Sequence, residues 1–259
     1  MMANGEANTA ERKQLPKVLA ILHQAHSTPG RIGCYLHAAG VQLDIRRPSL
    51  DEPLPATLNQ HDGVIVFGGP MCANDECEWI NREISWLETP LRESKPVLGI
   101  CLGAQMLART LGAKVFSHPD RRGELGYFPI KPEAEADALC AAPFPRHVYQ
   151  WHFDGFELPD GAELLASGGA DFPAQAYRYG ESAVGLQFHP EVTYQMMCRW
   201  TAKGHERLTL PGAQPRQLHL DGWLRHDAPV AKWSRAFLRQ WLAGSLSPAG
   251  VRERETVAA

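Results

Sequence analysis

Four short apolar-rich runs punctuate the first part of the chain: Val18 to Leu22, Gln42 to Ile45, Asp62 to Phe67 and Pro96 to Ile100. Runs of this kind fit strands buried on both faces of a parallel sheet, and the connections between them are long enough for helical crossovers. Pro29 to Ala39 reads as the first crossover helix, with Thr28 as its N-cap, Pro29 at its first position and Gly40 closing it. Leu102 to Leu111 repeats apolar residues at helical spacing directly after the fourth run. Beyond it the pattern changes to short β-rich runs set off by Gly, Pro and Asp. These are Lys114 to Phe116, Glu124 to Ile130, His147 to Trp151, Glu163 to Ala166, Ala174 to Tyr177 and Ala183 to Phe188. They predict strands that extend the sheet and form antiparallel ribbons at its edge. Val192 to Trp200 suits a helix on the core, and Lys203 to Ala228 reads as an irregular extension rich in Pro, Gly and His. Val230 to Leu242 reads as a closing amphipathic helix whose Trp233, Phe237 and Trp241 share one face, which packs into the core or docks a partner. The whole pattern predicts an α/β fold: a doubly wound, mostly parallel sheet with antiparallel edge strands. It reads as a single domain over residues 16–244, with a helical extension from about 203, and the polar ends, 1–15 and 245–259, are expected to be disordered.

A chain of 259 residues is ample for one buried core. A net charge of −3 without a dense basic tract argues against nucleic acid as a partner. No run approaches the roughly eighteen apolar residues of a membrane span, and the first residues lack a signal-peptide core, so the expected setting is the cytoplasm, away from any membrane. The six cysteines (Cys34, Cys72, Cys77, Cys101, Cys140 and Cys198) show neither C-x-x-C pairs nor a nearby His ladder. That spacing predicts reduced thiols and no metal, and no cofactor is expected.

Cys101 stands where a strand becomes a helix, with Gly99 and Gly103 two positions to either side. In so sharp a turn a Cβ at either glycine would collide with the neighbouring strand or helix, so Gly-x-Cys-x-Gly reads as the thiol version of a nucleophile elbow. The sulfur would project above the sheet near the N-terminus of the next helix, whose free N–H groups favour negative charge on it. The bland alternative is a small buried hydrophobe at a strand end, and the two glycines argue against it. Loops after the carboxyl ends of such strands share one rim, so the segments after Leu22, Phe67 and Ile100 are expected to meet. Phe67-Gly-Gly-Pro70 leaves backbone N–H groups bare on that rim, as an oxyanion site requires. His23 and His26 are expected to touch substrate or solvent rather than a metal. Cys72 and Cys77 are read as bystanders, with a helix beginning between them. The base for a thiol nucleophile is His189, which follows a strand end and has Glu191 two residues on. The carboxylate can hold one ring nitrogen while the other faces the sulfur, and Pro190 stiffens the corner. His152, followed by Asp154, is the competing base, expected instead to line the pocket or brace a strand.

Taken in order, Gly68-Gly69-Pro70, Gly99-Ile-Cys-Leu-Gly-Ala-Gln105 and Gln187-Phe-His-Pro-Glu191 resemble the class I glutamine amidotransferase family, over about Val18 to Trp200. The likeness is to free-standing glutaminases of the kind that serve guanylate synthesis. It implies a flavodoxin-like fold and hydrolysis of a γ-glutamyl amide through a thioester. It also implies Cys101 as nucleophile, His189 as general base and then acid, and Glu191 as the group that orients His189. The backbone N–H groups of Gly69 and Leu102 would hold the oxyanion, and Gly68, Gln105 and His152 would contact the substrate. Ammonia would pass to a separate synthase subunit, although no stretch beyond the motifs has the length of a synthase domain, which adds weight to a stand-alone enzyme. Two alternatives stay open: a stand-alone hydrolase or transferase of γ-glutamyl peptides or amides, and a non-catalytic module whose cysteine senses oxidation. The combination of Cys101, His189 and Glu191 speaks against the last, because a sensor needs no oriented base.

Overall fold

The structure, a computed structural model, describes residues 15–244. The disorder expected at the two ends lies outside the described residues, apart from Leu15. The chain runs β1 (Lys17–Ile21), α1 (Gly30–Ala38), β2 (Gln42–Arg46), β3 (Gly63–Val66), α2 (Glu78–Trp86), α3 (Glu88–Arg92), β4 (Val97–Ile100) and α4 (Leu102–Thr110). Shorter strands follow: β5 (Val115–Ser117), β6 (Glu124–Pro129), β7 (Lys131–Pro132), β8 (His147–His152), β9 (Asp154–Phe156), β10 (Glu163–Ser167), β11 (Ala174–Tyr179) and β12 (Ala183–Leu186). The helices α5 (Tyr194–Lys203) and α6 (Arg216–Leu242) come last, separated by a 3₁₀ turn at His205–Thr209.

Eight strands make the central sheet, in the order β2-β1-β3-β4-β12-β11-β10-β7. β2, β1, β3, β4 and β12 are parallel, while β11, β10 and β7 continue the sheet antiparallel. The pairs β5–β9 and β6–β8 form two separate antiparallel ribbons. The parallel part has the flavodoxin-like order, whose ligands sit beyond the carboxyl ends of the strands. Both faces are covered, which is why the strand runs are almost wholly apolar. Val18 and Ala20 of β1 face Ile32 and Leu36 of α1 together with Trp233 and Phe237 of α6. Leu19 and Ile21 face the other way, onto Ile80 of α2 and Met106 and Leu107 of α4. The aromatic stripe of α6 therefore serves the core, and the Trp241 ring lies 3.0 Å from where a Cβ on Gly63 would sit.

Four expectations about helices are corrected. The stretch 203–228 is largely helical, because α6 begins at Arg216, runs for 27 residues and carries Pro229 inside it. Tertiary contacts hold that stretch. Gly222 packs on Tyr127 with no space for a Cβ. His219 is fully buried, with Nε2 donating to the Gln214 carbonyl (3.0 Å) and Nδ1 accepting from the Tyr149 hydroxyl (3.0 Å). Packing of this kind outweighs the missing N–H of proline and the low propensity of glycine. At α1, Pro29 is the N-cap residue rather than the first helical one, and no side chain caps the helix. The chain enters α1 pressed against the backbone of Glu191: the Arg31 N–H donates to the Glu191 carbonyl (2.9 Å), and Gly30 turns there with φ +56°. The helix α5 starts at Tyr194, two residues past Val192, with the Thr193 hydroxyl accepting from the Met196 N–H. The helix expected between Cys72 and Cys77 starts at Glu78, after both.

Candidate active site

Cys101 has φ 51° and ψ −109°, a conformation that a residue with a Cβ adopts only when its surroundings impose it. The flanking glycines show what imposes it. A Cβ on Gly99 would stand 2.6 Å from the Gly103 carbonyl oxygen, and one on Gly103 would stand 2.7 Å from the carbonyl carbon of Val66 in β3. Both obstacles are backbone, so neither can swing aside. The Cys101 N–H donates to the Leu186 carbonyl at 2.7 Å, which carries the Ile100–Leu186 pairing of β4 and β12 one step further. Since Leu186 leads through Gln187 and Phe188 to His189, one sheet register sets the sulfur against the imidazole across 88 residues of sequence.

Cys101, His189 and Glu191 meet in a nearly dry corner, between 3 and 5 % exposed. His189 Nδ1 donates to Glu191 Oε1 at 2.7 Å. Nε2 is buried and addresses Cys101. Burial opposes a charged ring, but the charges of Glu191 and Cys101 and the hydrogen bond to Glu191 outweigh it and raise the His189 pKa to about 10. The Trp200 ring stands edge-on to it at 5.0 Å, and the His189 N–H donates to the Tyr149 carbonyl (2.9 Å), so the ring has little room to turn.

Gly68 is the gap between His189 and Cys101, because a Cβ there would lie 2.8 Å from His189 Cε1 and 3.4 Å from Cys101 Cβ. Gly69 lies against Leu102, whose Cδ2 is 2.9 Å from the place of the missing Cβ. Among the described residues, neither the Gly69 nor the Leu102 N–H donates to a protein acceptor. Two unspent donors thus flank the start of α4, next to the sulfur. Gln105, one turn into α4, donates through Nε2 to the Asp154 carbonyl (2.9 Å) and towards Gln187 Oε1 (3.4 Å). His152 has both ring nitrogens at protein acceptors, the Asp154 carbonyl and Glu124 Oε2, each at 3.0 Å. It braces β8 against the β6 ribbon while lining the cavity.

A family model described as glutamine amidotransferase class-I matches residues 28–199. The chain belongs to that family. It is 30% identical over 187 residues to the glutamine amidotransferase-like protein YfeJ of Salmonella typhimurium, covering 69% of this chain and 77% of the other. It is 31% identical over 170 residues to one subunit of the glutamine-hydrolyzing GMP synthase of Methanoregula boonei, covering 64% of this chain and 85% of that one. A crystal structure of a glutamine amido transferase from Methylobacillus flagellatus superposes with a TM-score of 0.83 at 26% identity, covering 90% of this chain and 96% of its own.

The segments after β1, β3 and β4 do share one rim, but His23 corrects its expected place. It is buried, in contact with neither substrate space nor solvent, because α2 closes over the end of β1 and presents Glu83. His23 Nε2 donates to Glu83 Oε1 (3.0 Å) and Nδ1 to the Gly68 carbonyl (3.3 Å), so an internal ion pair supports the glycine loop from behind. His26 lines the cavity instead. Cys72 lines it too, and burial pushes its thiol up to about 11, which leaves it neutral. Sequence reasoning overlooked the His23–Glu83 pair because its partners are 60 residues apart on a strand end and a helix.

That pair yields a prediction. Burial disfavours the His23 cation, yet the charge of Glu83 and its hydrogen bond raise the pKa above 6.5. A raised folded-state pKa contributes stability that is complete below the unfolded value and disappears as pH climbs through the folded one. Glu83→Gln is therefore expected to cost about 1.5–3 kcal/mol at pH 6, with the gap to wild type narrowing above pH 6.5. Urea unfolding of both proteins at several pH values checks this, and a gap that does not change with pH would count against a charged His23.

Proposed function

We propose that this chain hydrolyses the amide of glutamine through a thioester on Cys101 and releases ammonia for a separate synthase. One observation carries the reading: a strained elbow thiol stands beside a buried histidine held at 2.7 Å by a carboxylate, with two unspent N–H donors at the neighbouring loop and helix start. On this reading the sulfur attacks the γ-carbonyl carbon while the Gly69 and Leu102 N–H groups take the developing oxyanion. His189, held by Glu191, takes the proton of the Cys101 thiol, gives it to the departing nitrogen, and then draws a proton from the water that cleaves the thioester and returns it to the sulfur. Gly68 leaves room for the substrate between ring and sulfur. Gln105 and His152 shape its pocket, both through the Asp154 carbonyl.

The Methanoregula relative is named as one subunit of a glutamine-hydrolyzing GMP synthase, which supports glutamine as substrate and a second, separate polypeptide as the ammonia acceptor. A reducing cytoplasm suits the six free cysteines. No helix among the described residues is long and apolar enough to cross a membrane. A second reading, hydrolysis of larger γ-glutamyl amides without a synthase, is favoured by the size of the cavity over Cys101, about 760 Å³.

The test is an acid quench of the protein mixed with glutamine, followed by mass spectrometry. A glutamyl adduct confined to the peptide bearing Cys101, with ammonia and glutamate formed in equal amounts, is the expected result. An adduct on another cysteine would overturn the assignment.

A further inference from the structure

Thioester chemistry needs only the floor of that cavity of about 760 Å³. Glutamine has about ten heavy atoms, whereas cavities of this size enclose much larger ligands. The outer wall carries a pattern that the chemistry on Cys101 does not use. Arg199, Lys203 and Arg207 line it at four-residue intervals, the first two on one face of α5 and the third on the 3₁₀ turn that follows. Arg121 lines it from the segment between β5 and β6, with φ +55°. Among the described residues, Arg121, Arg199 and Lys203 have no carboxylate partner, and Arg207 lies 6.0 Å over the Phe153 ring. The carboxylates of the wall are occupied elsewhere. Glu191 holds His189, Asp154 accepts from the Ser117 hydroxyl (2.5 Å), and Asp75 accepts from the Cys72 N–H (3.0 Å). A γ-glutamyl group brings one ammonium and one carboxylate, so by itself it leaves most of this positive charge unanswered.

We propose that the cavity takes γ-glutamyl amides whose leaving amine carries a carboxylate of its own, as in a γ-glutamyl peptide, and that Arg199, Lys203, Arg207 and Arg121 form the wall that binds this anion. Guanidinium groups suit the role because their N–H forks match a carboxylate. The inference rests on the thioester reading. His189 takes the Cys101 thiol proton as the sulfur bonds to the γ-carbonyl carbon, the C–N bond breaks, and the amine leaves with that proton. Water then cleaves the thioester to glutamate. Only the leaving group differs, an amino acid or peptide in place of ammonia.

The experiment measures initial rates of the full chain on γ-glutamylglycine and γ-glutamylglycinamide, a pair matched in size and differing by one charge. Wild type is expected to favour the acid about tenfold in kcat/KM. The preference should shrink with added salt and fall to about twofold or less in the Arg199→Gln/Lys203→Gln double variant. Equal rates in wild type, or a parallel loss of both activities in the variant, overturn the inference. Glutamine hydrolysis that depends on Cys101 but comes with no acid preference sinks this inference alone. Turnover that survives Cys101→Ala sinks the thioester reading instead. Should wild type turn over neither compound, calorimetric binding of the same pair to Cys101→Ala protein decides: tighter binding of the acid supports the wall, and equal binding overturns it.

Discussion

Cys101→Ala is expected to lower amide hydrolysis by at least about 10⁴-fold while the protein stays folded. The loss follows from geometry. Cys101 is the cysteine that sits beside His189, with Leu102 next to it in the chain and Gly69 packed against Leu102. Cys72, which also lines the cavity, is kept neutral by burial and cannot stand in. Alanine retains the Cβ and therefore the strain of φ 51°, so stability should change little. Glycine at the same place carries no such strain, and Cys101→Gly should be more stable than Cys101→Ala by about 1 kcal/mol. The substitution also removes the Cys101 charge that helps to raise the His189 pKa, so its ring should titrate lower than in the intact site. Proton NMR of the imidazole, recorded beside the activity assay, reads this shift. Activity within tenfold of wild type would remove Cys101 from the mechanism.

Gly103→Ala is expected to destabilise the fold by about 3 kcal/mol or more, a fall in Tm of roughly 6–12 °C for a domain of this size. Alanine is the better helix former, and in an exposed helix the exchange would stabilise by up to about 1 kcal/mol. Here the added methyl would stand 2.7 Å from the Val66 carbonyl carbon and closer still to its oxygen, and a β3 strand buried on both faces cannot retreat. Relief requires α4 to lift off the sheet, which also shifts the Leu102 N–H. Thermal unfolding and residual hydrolysis should therefore fall together. A Tm equal to wild type would show that the close approach of α4 and β3 is not needed.

Much of this was legible in local sequence, and the reason is that the signals were themselves local. The apolar runs at Val18, Asp62 and Pro96 need only be short and unalternating to demand cover on both faces, and the structure covers them with α1 and α6 on one side and α2 and α4 on the other. The two glycines around Cys101 declared a turn too tight for a Cβ before any partner was known. His189 and Glu191, two residues apart, pair at 2.7 Å along a single stretch of backbone. Other features depend on residues far apart in the chain. Pro, Gly and His between 203 and 228 weaken a helix in isolation, and the seat of Gly222 on Tyr127 and of His219 on Tyr149 overrides them. His23 looked like a rim residue until α2 brought Glu83 over it. Arg199, Lys203 and Arg207 likewise have a helical repeat that sequence could display, but only the fold brings them to the same cavity as Arg121. Sequence by itself determined the strands, the sharp turn at Cys101 and the pairing of His189 with Glu191, because each is specified within a few residues by sterics and chemistry. Tertiary structure decided which buried charges pair and what surrounds the sulfur, because those depend on the register of β12 on β4 and on which helix closes over each strand end.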